Sequence, residues 1–131
     1  IGVGRNDEVI VPDLTFIATA NAVKHCGAYP NFVDVEKKTF GICPQKLEQY
    51  FKKILIKKKK YSLNRFNGRK IKALIAVHVF GMPCEIVRIN KVCKKYNLKV
   101  IEDAAEAMGS YYKKKHVGTF RLNGDFKWER K

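Results

Sequence analysis

The chain has 131 residues, 46% of them hydrophobic, which suits about one domain with a buried core and excludes a disordered tail. No apolar run approaches the roughly 20 residues that a membrane span needs. The N-terminus has no basic-then-apolar signal pattern, so we expect a cytoplasmic protein without membrane contact.

A formal net charge of +15 is a feature shared with proteins that bind nucleic acids or anionic surfaces. The lysines, however, are spread along the whole chain, with one dense run from Lys57 to Lys60. Aromatic residues are not interleaved with them, as a base-stacking platform would require. We therefore favour a solvated, lysine-rich surface and expect no nucleic-acid partner, with a nucleic-acid-binding module kept as an alternative.

The four cysteines are Cys26, Cys43, Cys84 and Cys93. They form no C-x-x-C pair, and no histidine lies near them at ligand spacing. This spacing indicates neither a zinc site nor a disulfide framework, so we predict reduced structural thiols and no metal site.

The first third of the chain predicts a strand, a helix and a second strand. Asp7–Pro12 is a polar start followed by a β-branched run that proline stops. A helix is predicted from Phe16 to Cys26, with Asp13 or Thr15 as its cap. Tyr29–Val35 alternates polar and apolar residues, as a partly exposed strand does.

The middle of the chain predicts a helix, a loop and a buried strand. Pro44 starts a helix, and Lys57–Arg69 is typical of a basic surface loop, which we expect to be the most mobile segment. Ile71–Val79 is nearly continuous apolar sequence, typical of a strand covered on both faces. The predicted buried face of the helix consists of Leu47, Tyr50, Phe51, Ile54 and Leu55.

The last predicted helix and strand complete an alternating pattern. Pro83 begins a helix that runs through Tyr96, and the strand Lys99–Ile101 brings Glu102 and Asp103 to its C-terminal end. Strands separated by helices of roughly 10 to 15 residues favour right-handed crossovers. The predicted fold class is therefore α/β, with a mainly parallel sheet flanked by helices.

The C-terminal ends of parallel strands share one edge, where ligands bind in open α/β sheets. This edge gathers Pro12–Phe16, His78–Gly81 and Glu102–Glu106. A carboxylate there can pair with a cationic ligand atom or a metal, cap a turn or hold a loop, while His78 can contact a ligand or bond a loop carbonyl. No glycine-rich dinucleotide or P-loop motif is present. An aromatic ring opposite a carboxylate suits a flat cationic heterocycle.

Four segments, in this order, carry a resemblance to a known family: Gly4–Ala22, Val77–Gly81, Ile101–Gly109 and Tyr112–Phe120. They are similar to motifs of the pyridoxal-phosphate-dependent sugar aminotransferases, the DegT/DnrJ/EryC1/StrS family. The resemblance is strongest to enzymes that aminate nucleotide-linked 4-keto-6-deoxy sugars on the route to bacillosamine and legionaminic acid. It implies that this chain is part of the large domain of a fold-type I transferase.

The resemblance also implies roles for three residues around pyridoxal 5'-phosphate. Asp103 matches the aspartate that faces the pyridine nitrogen, where a carboxylate keeps that nitrogen protonated. Phe16 matches the aromatic residue that stacks on the ring. Glu106 matches a polar position near the oxygen side of the ring.

No catalytic residue is assigned. In the family, the Schiff-base lysine usually ends a strand of the form F-S-F-N-G-N-K. Here Phe126 and Trp128 keep the aromatic spacing, but Lys127 replaces the serine and Lys131 arrives one residue early. Because side chains alternate along a strand, a one-residue shift turns a lysine to the wrong face. We therefore do not expect Lys131 to be catalytic.

The family implies a homodimeric enzyme that takes an amino group from glutamate and transfers it to a nucleotide sugar for surface glycans. Its N-terminal segment and C-terminal small domain have no counterpart in residues 1–131. We therefore expect residues 1–131 to be a partial cofactor-binding large domain, inactive by itself, with exposed apolar surface. A non-functional remnant without a ligand is a further alternative.

Overall fold

The computed structural model describes residues 1–120, and within them six strands form one mixed sheet. No helix in this part of the chain is long and apolar enough to cross a bilayer. The helices are α1 (Ile17–His25), α2 (Pro44–Ile54) and α3 (Ile86–Lys95). The strands of the sheet are β1 (Glu8–Pro12), β2 (Tyr29–Val33), β3 (Leu55–Lys57), β4 (Ser62–Asn64), β5 (Lys70–Val77) and β6 (Lys99–Asp103). A separate small hairpin consists of β7 (Tyr111–Tyr112) and β8 (Lys115–His116).

The parallel part of the sheet has the order β2-β1-β5-β6. Strand β5 has two partners on the side away from β1. Its start, at Ile71, pairs antiparallel with Ser62 of β4, and from Ala73 onward it pairs in parallel with β6. These pairings confirm the predicted α/β class, with a parallel sheet extended by an antiparallel hairpin.

Side chains alternate between the two faces of the sheet, and both faces are covered by helices. On one face, Val9, Val11 and Ile75 pack in a cluster with Val23 of α1. On the other face, residues such as Leu74 pack in a larger cluster with α2 and α3. The larger cluster contains the predicted helix residues Leu47, Phe51, Ile54, Ile86, Ile89, Cys93 and Tyr96. Both faces of the sheet are therefore packed against helices.

The prediction that residues 57–69 form a surface loop was wrong in part, and the expected mobility of this segment stays a prediction. That segment contains β4, and the Glu8 carboxylate holds it to β1. Glu8, with only 5% of its side chain exposed, accepts hydrogen bonds from the side-chain amides of Asn31 (3.0 Å), Asn64 (3.0 Å) and Asn67 (2.5 Å). Arg69 adds a charge at 3.7 Å. Strands of three residues are too short for an alternation signal, and their anchor is remote in sequence.

Two predicted helix starts also differ from the structure. Helix α1 begins after Phe16, which makes no side-chain cap, and the predicted cap Thr15 shares a 2.8 Å hydrogen bond with the Thr19 hydroxyl. The other predicted cap, Asp13, donates its N–H to the Val33 carbonyl in β2. Helix α3 begins three residues later than predicted because the preceding backbone is tied to the end of β5.

Candidate functional site

A cleft of about 190 Å³ lies at the C-terminal edge of the parallel strands. It is formed where the loop after β1 meets the turn after β5 and the loop after β6, as the topology predicted. Its lining is mainly apolar, with one carboxylate: Leu14, Thr15, Phe16, Val77, Val79, Phe80 and Glu106. The fold thus brings two of the three predicted cofactor residues, Phe16 and Glu106, to one cleft.

Phe16 stands on the wall of this cleft at the start of α1. Its backbone is extended (φ −63°, ψ 146°), and 67% of the residue is exposed. A large aromatic side chain with so little packing contributes little to the core. Its ring is therefore free to offer a flat face to a ligand.

Asp103 is not among the residues that line the cleft, but it lies on the adjacent strand. It is the register partner of Val77, a lining residue, in the parallel β5–β6 pair. Paired residues of neighbouring strands present their side chains to the same face of the sheet. The half-buried carboxylate also accepts a 3.1 Å hydrogen bond from the Ala105 N–H. Asp103 and the cleft therefore share one face.

Glu106 holds the turn that forms the opposite wall of the cleft. Its carboxylate accepts a 2.8 Å hydrogen bond from the N–H of Phe80, which adopts a left-handed conformation at φ 53°. This conformation is unfavourable for a bulky residue. Gly81 follows at φ 74°, where an added Cβ would lie 3.0 Å from the Glu106 carbonyl oxygen. The β5 turn and the β6 loop are thus in close backbone contact.

His78 does not reach the cleft. Its ring is fully buried, with Nδ1 accepting a 3.0 Å hydrogen bond from the Cys84 N–H. The ring proton is then on Nε2, which donates to Glu102 at 2.9 Å. The sequence suggested a ligand or a loop carbonyl as the partner of His78. The partner in the structure is instead the Glu102 carboxylate. A sequence signal for this pair was present, since His78 directly follows β5 and Glu102 is the last residue but one of the neighbouring β6.

Glu102 also binds the segment that follows the small hairpin. It accepts hydrogen bonds from the N–H groups of Gly118 (2.6 Å) and Phe120 (2.9 Å). Burial raises the pKa of Glu102, but the hydrogen bonds from His78, Gly118 and Phe120 outweigh burial, so the net pKa is below the ordinary glutamate value. Glu102 is therefore an ionised, buried carboxylate that holds His78 and the segment after the hairpin. The sequence did not predict this role.

The residues around the cleft fit the pyridine ring of pyridoxal phosphate better than its phosphate group. An exposed ring, an apolar lining and nearby carboxylates suit a planar cationic heterocycle. The described lining contains no lysine or arginine for a phosphate, and the Thr15 hydroxyl is already bonded to Thr19. Within residues 1–120, no group of three or more histidine, cysteine or acidic side chains could hold a metal ion. The chemistry of the described lining therefore suits a planar ring and supplies no cation for a phosphate.

Comparisons with known proteins identify relatives of this chain. The DegT/DnrJ/EryC1/StrS aminotransferase family matches residues 1–126. GDP-perosamine synthase of Escherichia coli O157:H7 is 42% identical over 120 residues, which are 92% of this chain and 29% of that protein. The chain therefore spans less than a third of the length of this curated relative.

Two solved structures share the fold. NtdA from Bacillus subtilis, with bound cofactor PMP, has a TM-score of 0.66 and 33% identity over 84% of this chain and 22% of its own. GDP-4-keto-6-deoxymannose-3-dehydratase, with a trapped PLP-glutamate geminal diamine, has a TM-score of 0.69 and 26% identity over 91% of this chain and 27% of its own. The predicted fold type I architecture is thereby confirmed. This chain is a member of the DegT/DnrJ/EryC1/StrS aminotransferase family.

Proposed function

We propose that the cleft beside Phe16 binds the ring of pyridoxal 5'-phosphate, and that the chain is the cofactor-binding part of an aminotransferase for nucleotide-linked keto sugars. The observation that carries this proposal is an exposed aromatic ring on the same face of the sheet as a strand-end aspartate, Asp103. Family membership supports the same chemistry and does not favour a nucleic-acid-binding module.

Each of the three residues has a distinct task in this proposal. Phe16 supports one face of the ring and fixes its plane. Asp103 binds the pyridine N–H and stabilises its positive charge. When bound, the cofactor supplies an electron sink for loss of a substrate proton. Glu106 faces the oxygen side of the ring and, through its bond to Phe80, keeps the opposite wall of the cleft in place.

The substrate class is inferred from the relatives. A GDP-perosamine synthase and a GDP-4-keto-6-deoxymannose-3-dehydratase both carry the name of a GDP-linked sugar, which favours a GDP-linked 4-keto-6-deoxy sugar. The assignment to the bacillosamine and legionaminic acid routes stays a prediction. Glutamate as the amino donor is supported by the PLP-glutamate adduct in the dehydratase structure. A homodimer remains a prediction from the resemblance, and a cytoplasmic location remains a prediction from the sequence pattern.

Binding of pyridoxamine 5'-phosphate tests the cofactor site. This form has no aldehyde, so it cannot react with the many surface lysines, and calorimetry reports its binding directly. We expect Asp103→Asn to weaken its affinity about tenfold or more, because a charge-assisted hydrogen bond is lost. Asp34→Asn is the matched control, since Asp34 lies on the surface in an ion pair with Lys46. Equal affinities of the two variants would contradict the role of Asp103.

We further propose that residues 1–131 bind the cofactor ring without completing amino transfer. The reason is the shifted lysine pattern near Lys131, which lies outside the described residues. Incubation with pyridoxal phosphate, glutamate and a GDP-linked 4-keto-6-deoxy sugar should therefore release no 2-oxoglutarate above the protein-free background. Catalytic release would show that a lysine of this chain is competent, and mapping of a borohydride-reduced adduct would then identify it.

A further inference from the structure

We propose that Glu102 is a positioning residue, whose carboxylate clamps the segment Gly118–Phe120 to the edge of the sheet beside the cleft. Oε1 accepts hydrogen bonds from His78 Nε2 (2.9 Å) and the Gly118 N–H (2.6 Å), and Oε2 accepts one from the Phe120 N–H (2.9 Å). With 8% of its side chain exposed, this carboxylate has little access to water as a competing partner. Charged acceptors of this kind make the stronger hydrogen bonds of proteins.

Glu102 lies in β6 next to Asp103, the proposed cofactor residue. Glu102 is the register partner of Ala76, which packs on the face covered by α2 and α3, whereas Asp103 pairs with Val77 on the cleft face. Adjacent residues of a strand point to opposite faces. One strand end therefore holds the chain segment on one face and offers a carboxylate to the cleft on the other.

The other contacts of residues 117–120 show which part of this segment depends on Glu102. Val117 is buried and donates its N–H to Ser110, but beyond it Gly118 is exposed. The Phe120 ring is half-buried and packs edge to face on Tyr112 at 5.6 Å. Among the described residues, Glu102 is the acceptor for both the Gly118 and Phe120 N–H groups. Loss of its charge should therefore release Phe120 more than Gly118, while leaving Val117 in place.

The clamp should depend on pH through Glu102 itself. The titratable groups that face the carboxylate are His78, from the end of β5, and the Cys84 thiol, from the segment before α3. Burial, with a contribution from the Glu102 charge, raises the pKa of Cys84 to about 12, so this thiol stays neutral. The clamped segment offers backbone N–H groups, with Lys115 over the Phe120 ring at 4.8 Å. Because the pKa of Glu102 is lowered, the clamp persists below pH 4.5 and is lost as pH falls through that lowered value.

Amide hydrogen exchange of the cofactor-free chain tests the clamp in Glu102→Gln. A glutamine whose oxygen stays with His78 and Gly118 turns its NH2 group toward the Phe120 N–H, so two donors face each other. We expect exchange at Phe120 to accelerate about tenfold or more, exchange at Gly118 to change less, and exchange in β5 to stay within about twofold. Glu48→Gln, at a surface ion pair with Lys95, is the matched control. Unchanged exchange at Phe120 would overturn the proposal.

The wild-type protein gives a second test that does not depend on how well a variant folds. Amide chemical shifts of Gly118 and Phe120 should titrate together with the Glu102 carboxyl, with a midpoint below 4.5. Both amides should keep constant shifts between pH 5 and 8, because Glu102 stays ionised over that range. Titration of the two amides with a different midpoint from Glu102 would refute the clamp. Neither measurement requires bound cofactor, so failure of the cofactor proposal would leave this result unaffected.

Discussion

Phe80 and Glu106 join two loops at the mouth of the cleft: the Phe80 N–H donates to the Glu106 carboxylate at 2.8 Å. The bond holds Phe80 in a left-handed conformation, with φ at 53° and 71% of the residue exposed. A bulky residue adopts this conformation only where its surroundings impose it. The edge-to-face contact of Phe80 with Phe40, at 6.3 Å, is a second restraint. This wall of the cleft is therefore held in place before any ligand arrives.

Substitution Glu106→Ala should release the Phe80 turn. We expect the free energy of unfolding to fall by about 1 kcal/mol or less, because one hydrogen bond to a charged group is lost at an exposed site. Urea denaturation measures this change, and Glu48→Ala at the surface serves as the control. A loss no larger than that of the control would show that the bond does not restrain the turn.

The substitution Phe16→Ala tests whether the Phe16 ring binds a ligand or packs in the core. Because most of Phe16 is exposed, the free energy of unfolding should change by less than about 0.5 kcal/mol. The affinity for pyridoxamine 5'-phosphate should fall about fivefold, since a stacking contact is removed. Calorimetry and urea denaturation of the same preparation give both values. A large loss of stability with unchanged affinity would assign the ring to packing.

The buried Glu8 carboxylate should be among the most sensitive polar groups of the fold. In Glu8→Gln, an NH2 group would face the amide donors of Asn31, Asn64 or Asn67. We expect a loss of about 2 to 3 kcal/mol in the free energy of unfolding, because buried donors are left without an acceptor. Glu48→Gln, at an exposed ion pair with Lys95, should cost clearly less. Similar losses in both variants would argue against the buried network.

The cysteines should differ in reactivity toward a disulfide reagent at pH 8. Cys26 is exposed and should react first. Cys84 and Cys93 are buried, and burial raises the pKa of both thiols, to about 12 for Cys84. Both should therefore react only after the protein unfolds in denaturant. Rapid reaction of Cys84 or Cys93 in the native protein would contradict the packing around α3.

The predictions from sequence succeeded where the apolar pattern was long. The run that forms β5 has eight residues, and its burial on both faces was predicted from its composition. The apolar spacing of α2 likewise predicted its buried residues Leu47, Phe51 and Ile54, whereas Tyr50 is half-buried and Leu55 already belongs to β3. The short strands β3 and β4 were missed because three residues carry no distinctive period. The start of α3 was misplaced because the Cys84 N–H bonds to the His78 ring.

The sequence by itself determined the α/β class, the family and the identity of Phe16, Asp103 and Glu106 as candidate residues. These follow from local hydrophobic periodicity and from motifs of contiguous residues. Only the tertiary structure decided which side chains meet: that Glu106 holds Phe80, that Glu8 anchors a remote segment, and that Glu102 with His78 binds residues near the end of the hairpin. Such contacts join residues far apart in sequence, and a hydrogen bond depends on distances and directions that no linear pattern contains.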